Sequence, residues 1–94
     1  MYDRILRKIQ DRIRELDYVI TRHAHREMFE DDLTIIDVEW AILTGNICEK
    51  QRNKKTGEAK FRLRGSTLEC DVEVILAFGA IGRLTIITVY TIGE

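Results

Sequence analysis

The sequence predicts an α+β domain, with N-terminal helices packed on one face of a four-stranded antiparallel sheet. Three observations carry that expectation. Tyr2, Ile5, Ile9, Ile13 and Leu16 recur at helical spacing. Residues 59–65 (AKFRLRG) alternate cleanly, with Phe61 and Leu63 on one side and Lys60, Arg62 and Arg64 on the other. From Cys70 to Ile92, two runs rich in Val, Ile, Thr, Phe and Tyr flank a short link holding Gly79 and Gly82, the pattern of a hairpin.

The first helix is expected over about residues 2–16, with Leu6 beside its apolar stripe and its arginines in solvent. Asp17 and Tyr18 begin a break. Thr21 is a fitting N-cap, because its hydroxyl accepts an amide that the first turn leaves unpaired. A second helix follows at about 22–31, with Ala24 and Met28 inward. Thr34 and Asp37 stand at capping-box spacing and open a third helix at about 35–44. Val38, Ala41 and Ile42 form its inner face, and Gly45 suits the left-handed position after its last turn. Beyond it the pattern turns extended. Strands are expected at about 46–53, 59–65, 70–78 and 83–92, with boundaries good to roughly two to four residues. The expected core is Ile9, Ile13, Ala24, Met28, Val38, Ile42, Leu63, Val74, Leu76 and Ile87. Neither parity of the last two strands is fully polar, which predicts some cover on both sides of that hairpin.

A chain of 94 residues suits one domain, here residues 1–94. With 45% hydrophobic and 33% charged residues it has the makings of a core rather than the profile of a disordered segment. Net charge is −1 and the pI about 6.1, so the whole chain carries no nucleic-acid signature. The distribution of charge says more than its sum. Residues 31–49 hold Asp31, Asp32, Asp37, Glu39 and Glu49 with no Lys or Arg. Residues 50–64 hold seven cations against Glu58 alone, a local charge of +6. Two cysteines, Cys48 and Cys70, stand at no metal-like spacing and fit a reducing, cytoplasmic setting. No apolar run reaches membrane-spanning length, and no signal-peptide core follows the N-terminus.

Four groups of residues are candidates for chemistry. His23 falls in the first turn of the second helix, where the helix dipole disfavours imidazolium and leaves a neutral base able to accept a proton. A local structural hydrogen bond explains it as well. His23 and His25, two apart on a helix, point to nearly opposite sides and do not make a metal site; no metal or other cofactor is expected. Lys60, Arg62 and Arg64 form a one-faced cationic stripe, which either binds an anion such as an RNA backbone or pairs across strands with Glu49, Glu69 or Glu73. Tyr90 ends the last strand, as a base-stacking or proton-donating group or as a core-edge tyrosine. Finally, Ile36, Trp40 and Leu43 make a second apolar stripe on the third helix, apart from the one that faces the sheet. Such a stripe is covered by the first helix or by a partner, with a homodimer the expected case.

The runs ITRHAHREM (Ile20 to Met28), LTIIDVEWAILTGNI (Leu33 to Ile47) and LTIITVY (Leu84 to Tyr90) resemble a widespread prokaryotic family, domain of unknown function 4258, grouped with RelE-type toxins. The matching residues are His23, Ala24, Met28, Asp37, Val38, Gly45 and Tyr90, and the likeness spans about residues 18–92. It implies a RelE-like fold, in which helices cover one sheet face and the other can hold RNA. It implies polar residues where this chain has Ile35, Ile36 and Trp40. It further implies a toxin of a toxin–antitoxin pair that cuts RNA, often ribosome-bound mRNA, and is neutralised by an antitoxin protein. On that reading His23 is the base, Arg62 and Arg64 with Lys60 hold the phosphate, and Tyr90 stacks or donates a proton. The competing reading is a non-catalytic module that uses the same scaffold to bind protein or RNA. The two readings divide on whether His23, Arg62 and Tyr90 converge.

Overall fold

The computed structural model describes residues 1–79 and 81–93. Ala80, in the link of the final hairpin, lies outside the described residues. The elements run α1 (Asp3–Arg14), β1 (Tyr18–Ile20), α2 (Arg22–Glu30), α3 (Ile35–Thr44), β2 (Asn46–Arg52), β3 (Ala59–Ser66), β4 (Asp71–Phe78) and β5 (Leu84–Ile92). The three helices and the antiparallel meander β2 to β5 match the expectation. A fifth strand does not. β1 pairs in parallel with β5, Tyr18 opposite Leu84 and Ile20 opposite Ile86, so the sheet is mixed, in the order β1-β5-β4-β3-β2. Three residues are too few to show a period, which is why the alternation of the sequence does not reveal β1.

The helix starts follow their capping chemistry. The Thr21 hydroxyl accepts from the Ala24 amide and opens α2. Thr34 and Asp37 form a reciprocal capping box at the start of α3. α1 stops before the expected Leu16: that residue takes a left-handed φ of 58°, and the Asp17 amide reaches back to the Arg12 carbonyl, the bond of a Schellman turn.

All three helices lie on one sheet face. Ile9, Ile13, Ala24, Met28, Val38, Ala41 and Ile42 meet Phe61, Leu63, Val72, Val74, Leu76, Leu84, Ile86 and Val89 in a single core. Ile87, expected inside, is only half-buried. The cause is a bulge: Ile75 pairs with Thr88 but Leu76 with Ile86, leaving Ile87 as an extra residue in β5. The parity of β5 reverses there, and Val89 takes the inward place.

Gly45 is also corrected. It is extended (φ −96°, ψ −173°), not left-handed. Its missing side chain serves close packing instead, since a Cβ there would stand 2.4 Å from the Arg64 carbonyl oxygen. Gly65 is tighter still, with a Cβ position 2.0 Å from the Ala41 oxygen. The pair lets α3 lie directly on β3. β5 extends past β1, and α2 supplies what the strand would have supplied: Glu27 accepts from the Val89 amide at 3.0 Å and Asp31 from the Thr91 amide at 2.9 Å.

Two substitutions test this packing by urea denaturation. Leu76→Ala, at a fully enclosed site, should cost about 2–5 kcal/mol; a loss near zero would place Leu76 outside the core. Gly65→Ala should cost about 1–3 kcal/mol or more by forcing α3 off the sheet, although alanine is the better strand former; unchanged stability would show that α3 does not need this contact.

Candidate functional site

The sheet face opposite the helices carries the polar residues of β3, β4 and β5. β3 buries Phe61, Leu63 and Gly65 toward the helices, so Lys60, Arg62 and Arg64 point to the open face. Directly across from Arg62 lie Glu49 on β2 and Ile75 on β4; across from Arg64 lies Glu73; across from Glu73 lies Tyr90. Direct and diagonal neighbours on one face are within side-chain reach. Arg62 Nε donates to Glu49 at 3.1 Å, and Arg62 Nη1 donates to Glu73 at 3.1 Å. The Tyr90 hydroxyl donates to the other oxygen of Glu73. Arg64 pairs with Asp71 at 3.3 Å, and the Ser66 hydroxyl donates to the same carboxylate.

Glu73 is therefore the centre of the constellation. It is 9% exposed and the one charged residue in the buried class among the described residues. It is satisfied by a guanidinium on one oxygen and a phenol on the other, which is what makes a nearly enclosed carboxylate tolerable. The alternation of β4 puts Glu73 on the same side as Asp71, Ile75 and Ala77. In the sequence it reads as one of three acids able to pair with the cationic stripe, not as the hub of a cluster.

Tyr90 reaches Glu73 because of the bulge. Without the extra Ile87, Tyr90 would share the inward parity of Leu84 and Ile86. The hydrogen bond to Glu73 raises the Tyr90 pKa above its ordinary value, with partial burial and the nearby negative charges adding to the effect. The phenol therefore remains a proton donor well into alkaline solution. Arg62 is raised as well, chiefly by its bond to Glu49. Asp71 is held below the usual carboxylate range by the Ser66 hydroxyl and then by Arg64.

The residues singled out from the sequence are thus only partly brought together. Arg62 and Tyr90 share Glu73. His23 does not join them by a direct bond; it is 62% exposed, and its Nε2 lies 3.2 Å from Glu27 one turn along α2. Glu27 in turn holds the Val89 amide, next to Tyr90. Lys60 stands opposite Gln51 at the outer end of the same stripe. Arg62 and Arg64 are paired across strands, Arg62 with Glu49 and Glu73 of the three expected acids and Arg64 with Asp71. No group of three or more His, Cys, Asp or Glu residues is arranged to hold a metal among the described residues. No described helix is long and apolar enough to cross a membrane.

The second apolar stripe of α3 divides. Leu43 packs against the core, and its carbonyl accepts from Gln10 of α1. Ile36 and Trp40 remain 71% and 55% exposed. They line a cavity of about 520 Å³ between the start of α3 and the β3–β4 turn.

A family model described as Domain of unknown function (DUF4258) matches residues 20–91, from the end of β1 to the end of β5, with α1 outside the match. No curated protein and no solved structure matches the chain.

The link between Tyr90 and Glu73 has a spectroscopic consequence. In Glu73→Gln the Tyr90 ring should titrate at lower pH than in the wild type, followed by the ring carbon shift of labelled tyrosine. The sign is fixed by the raised native pKa. The stabilisation is full below the unfolded value of about 10 and is lost as pH rises through the folded value. An unchanged titration would detach Tyr90 from Glu73.

Proposed function

We propose that this chain, which belongs to the DUF4258 family, is a toxin-like endoribonuclease that holds single-stranded RNA on the open face of its sheet. The observation that carries the reading is the bridging of Arg62 and Tyr90 by one nearly enclosed carboxylate, Glu73. Cleavage of RNA by its own 2′-hydroxyl needs a base, a cation at the phosphate and an acid for the leaving oxygen. The cluster contains one of each, so the reading is metal-independent. Glu73 takes the proton from the 2′-hydroxyl, and the 2′-oxygen attacks phosphorus. The bond to the 5′-oxygen breaks, and Tyr90 gives that oxygen its proton. Arg62 offsets the charge that develops on the phosphoryl oxygens, with Arg64 and Lys60 along the strand.

Glu73 replaces His23 as the base in this scheme, because it stands beside both other groups whereas His23 contacts neither. An arrangement of helices on one face and an open sheet on the other supports the RelE-like likeness. With it comes the expectation of ribosome-bound mRNA as target and of an antitoxin protein as regulator, the chain acting in the cytoplasm. The cross-strand ion pairs mean that an RNA phosphate competes with Glu49 and Asp71 for the arginines, so binding should fall steeply with salt.

Induced expression should arrest growth, and Arg62→Ala or Glu73→Gln should relieve the arrest. With purified protein and a fluorescent single-stranded RNA, those variants and Tyr90→Phe should cut at least about 100-fold more slowly, while His23→Ala stays close to the wild type. Loss of activity in His23→Ala alone would return the base to His23. Absence of both binding and cleavage at low salt would overturn the reading and leave the protein-binding module.

A further inference from the structure

The cavity beside α3 has a composition unlike the sheet face. Its apolar lining is Leu33, Ile36, Trp40 and Leu68, of which Leu68 is fully exposed and Ile36 and Trp40 mostly so. Two exposed acids, Asp32 and Glu69, line its edge. Two further carboxylates add charge while serving the fold, Asp31 on the Thr91 amide and Asp37 in the capping box. Among the described residues, no Lys, Arg or His lines the cavity. Its volume of about 520 Å³ is within the range of sites that enclose a ligand or a few side chains.

A large exposed indole with two exposed aliphatics marks an interface. The rim decides which kind. A symmetric contact between two copies through this face would set each acidic rim against its twin, because a two-fold interface brings the same patch to both sides. Like charges so opposed penalise the contact. The same rim attracts cations.

The geometry points to a different occupant: a peptide segment of a partner protein that carries two or three apolar anchors flanked by lysine or arginine. The anchors pack on the apolar lining over Trp40, and the flanking cations meet Asp32 and Glu69. This surface shares no residue with the Arg62–Glu73–Tyr90 cluster, so it stands whether or not the chain cleaves RNA.

Trp40 is the only tryptophan of the chain and reports directly on the groove. A short amphipathic peptide of leucine and lysine should shift its emission to the blue and saturate. The same peptide with glutamate for lysine should not. The double variant Asp32→Asn, Glu69→Gln lies on exposed positions and should weaken the leucine–lysine peptide about tenfold or more, with the circular dichroism spectrum unchanged. Equal responses to both peptides, or indifference to the double variant, would overturn the proposal. So would sedimentation of the free protein as a dimer that Trp40→Ala dissolves, which would give the groove to a second copy.

Discussion

The organisation of this domain turns on one extra residue in β5. Ile87 has no partner on β4, and the strand changes parity at that point. Its carbonyl is taken by the Thr21 hydroxyl at 3.0 Å, and that same oxygen accepts the Ala24 amide that opens α2. A single side chain thus holds the bulge and starts the helix. Everything downstream in β5 follows from the shift: Val89 enters the core, Tyr90 turns to Glu73, and the amides of Val89 and Thr91 face Glu27 and Asp31 of α2. A bulge beside a polar cluster is a familiar way to re-aim one side chain without breaking a sheet.

The parts of this fold that were legible in the sequence are those with a period or a cap. The stripe Ile9 and Ile13, the pair Ala24 and Met28, the capping box at Thr34 and the alternation around Phe61 and Leu63 each state a local rule, and the structure follows it. What escaped depends on partners distant in sequence. β1 depends on pairing with Leu84–Ile86 of β5, which three residues cannot announce by a period. Gly45 reads as a helix-end residue and Gly65 as the end of a strand, yet each lets a backbone approach, a reason invisible until α3 and β3 are placed together. The bulge at Ile87 leaves no trace in a run of β-branched residues that suits either face. Of the site, the stripe Lys60, Arg62 and Arg64 was readable from alternation, and Tyr90 as a strand-end polar group. Glu73 was recognisable only as one of several acids that an arginine might pair with.

The segregation of charge along the chain resolves into two surfaces of different character. The basic stretch from Lys50 to Arg64 spreads over β2 and β3, where acids from β2 and β4 intersperse with it. Asp31, Asp32 and Asp37 of the acidic stretch gather around the start of α3 beside exposed apolar side chains, and among the described residues no cation lines the groove. One surface has ionic partners that a polyanion would have to displace. The other has hydrophobic area and negative charge without either being covered. The two sites ask for different chemistry, and neither is built from the residues of the other.

The carboxylates of α2 also limit how this molecule can be approached. A bare strand edge invites another chain to add a strand. Where β5 runs past β1, that edge is closed: the Ile87 carbonyl and the Val89 and Thr91 amides are spent on Thr21, Glu27 and Asp31. The opposite edge, β2, carries Glu49, Lys50 and Arg52 in its second half. Those two stretches are poor templates for extension, by copies of the chain or by an extended peptide. Recognition of this domain is thereby directed to its faces and its groove, and away from the backbone ladder.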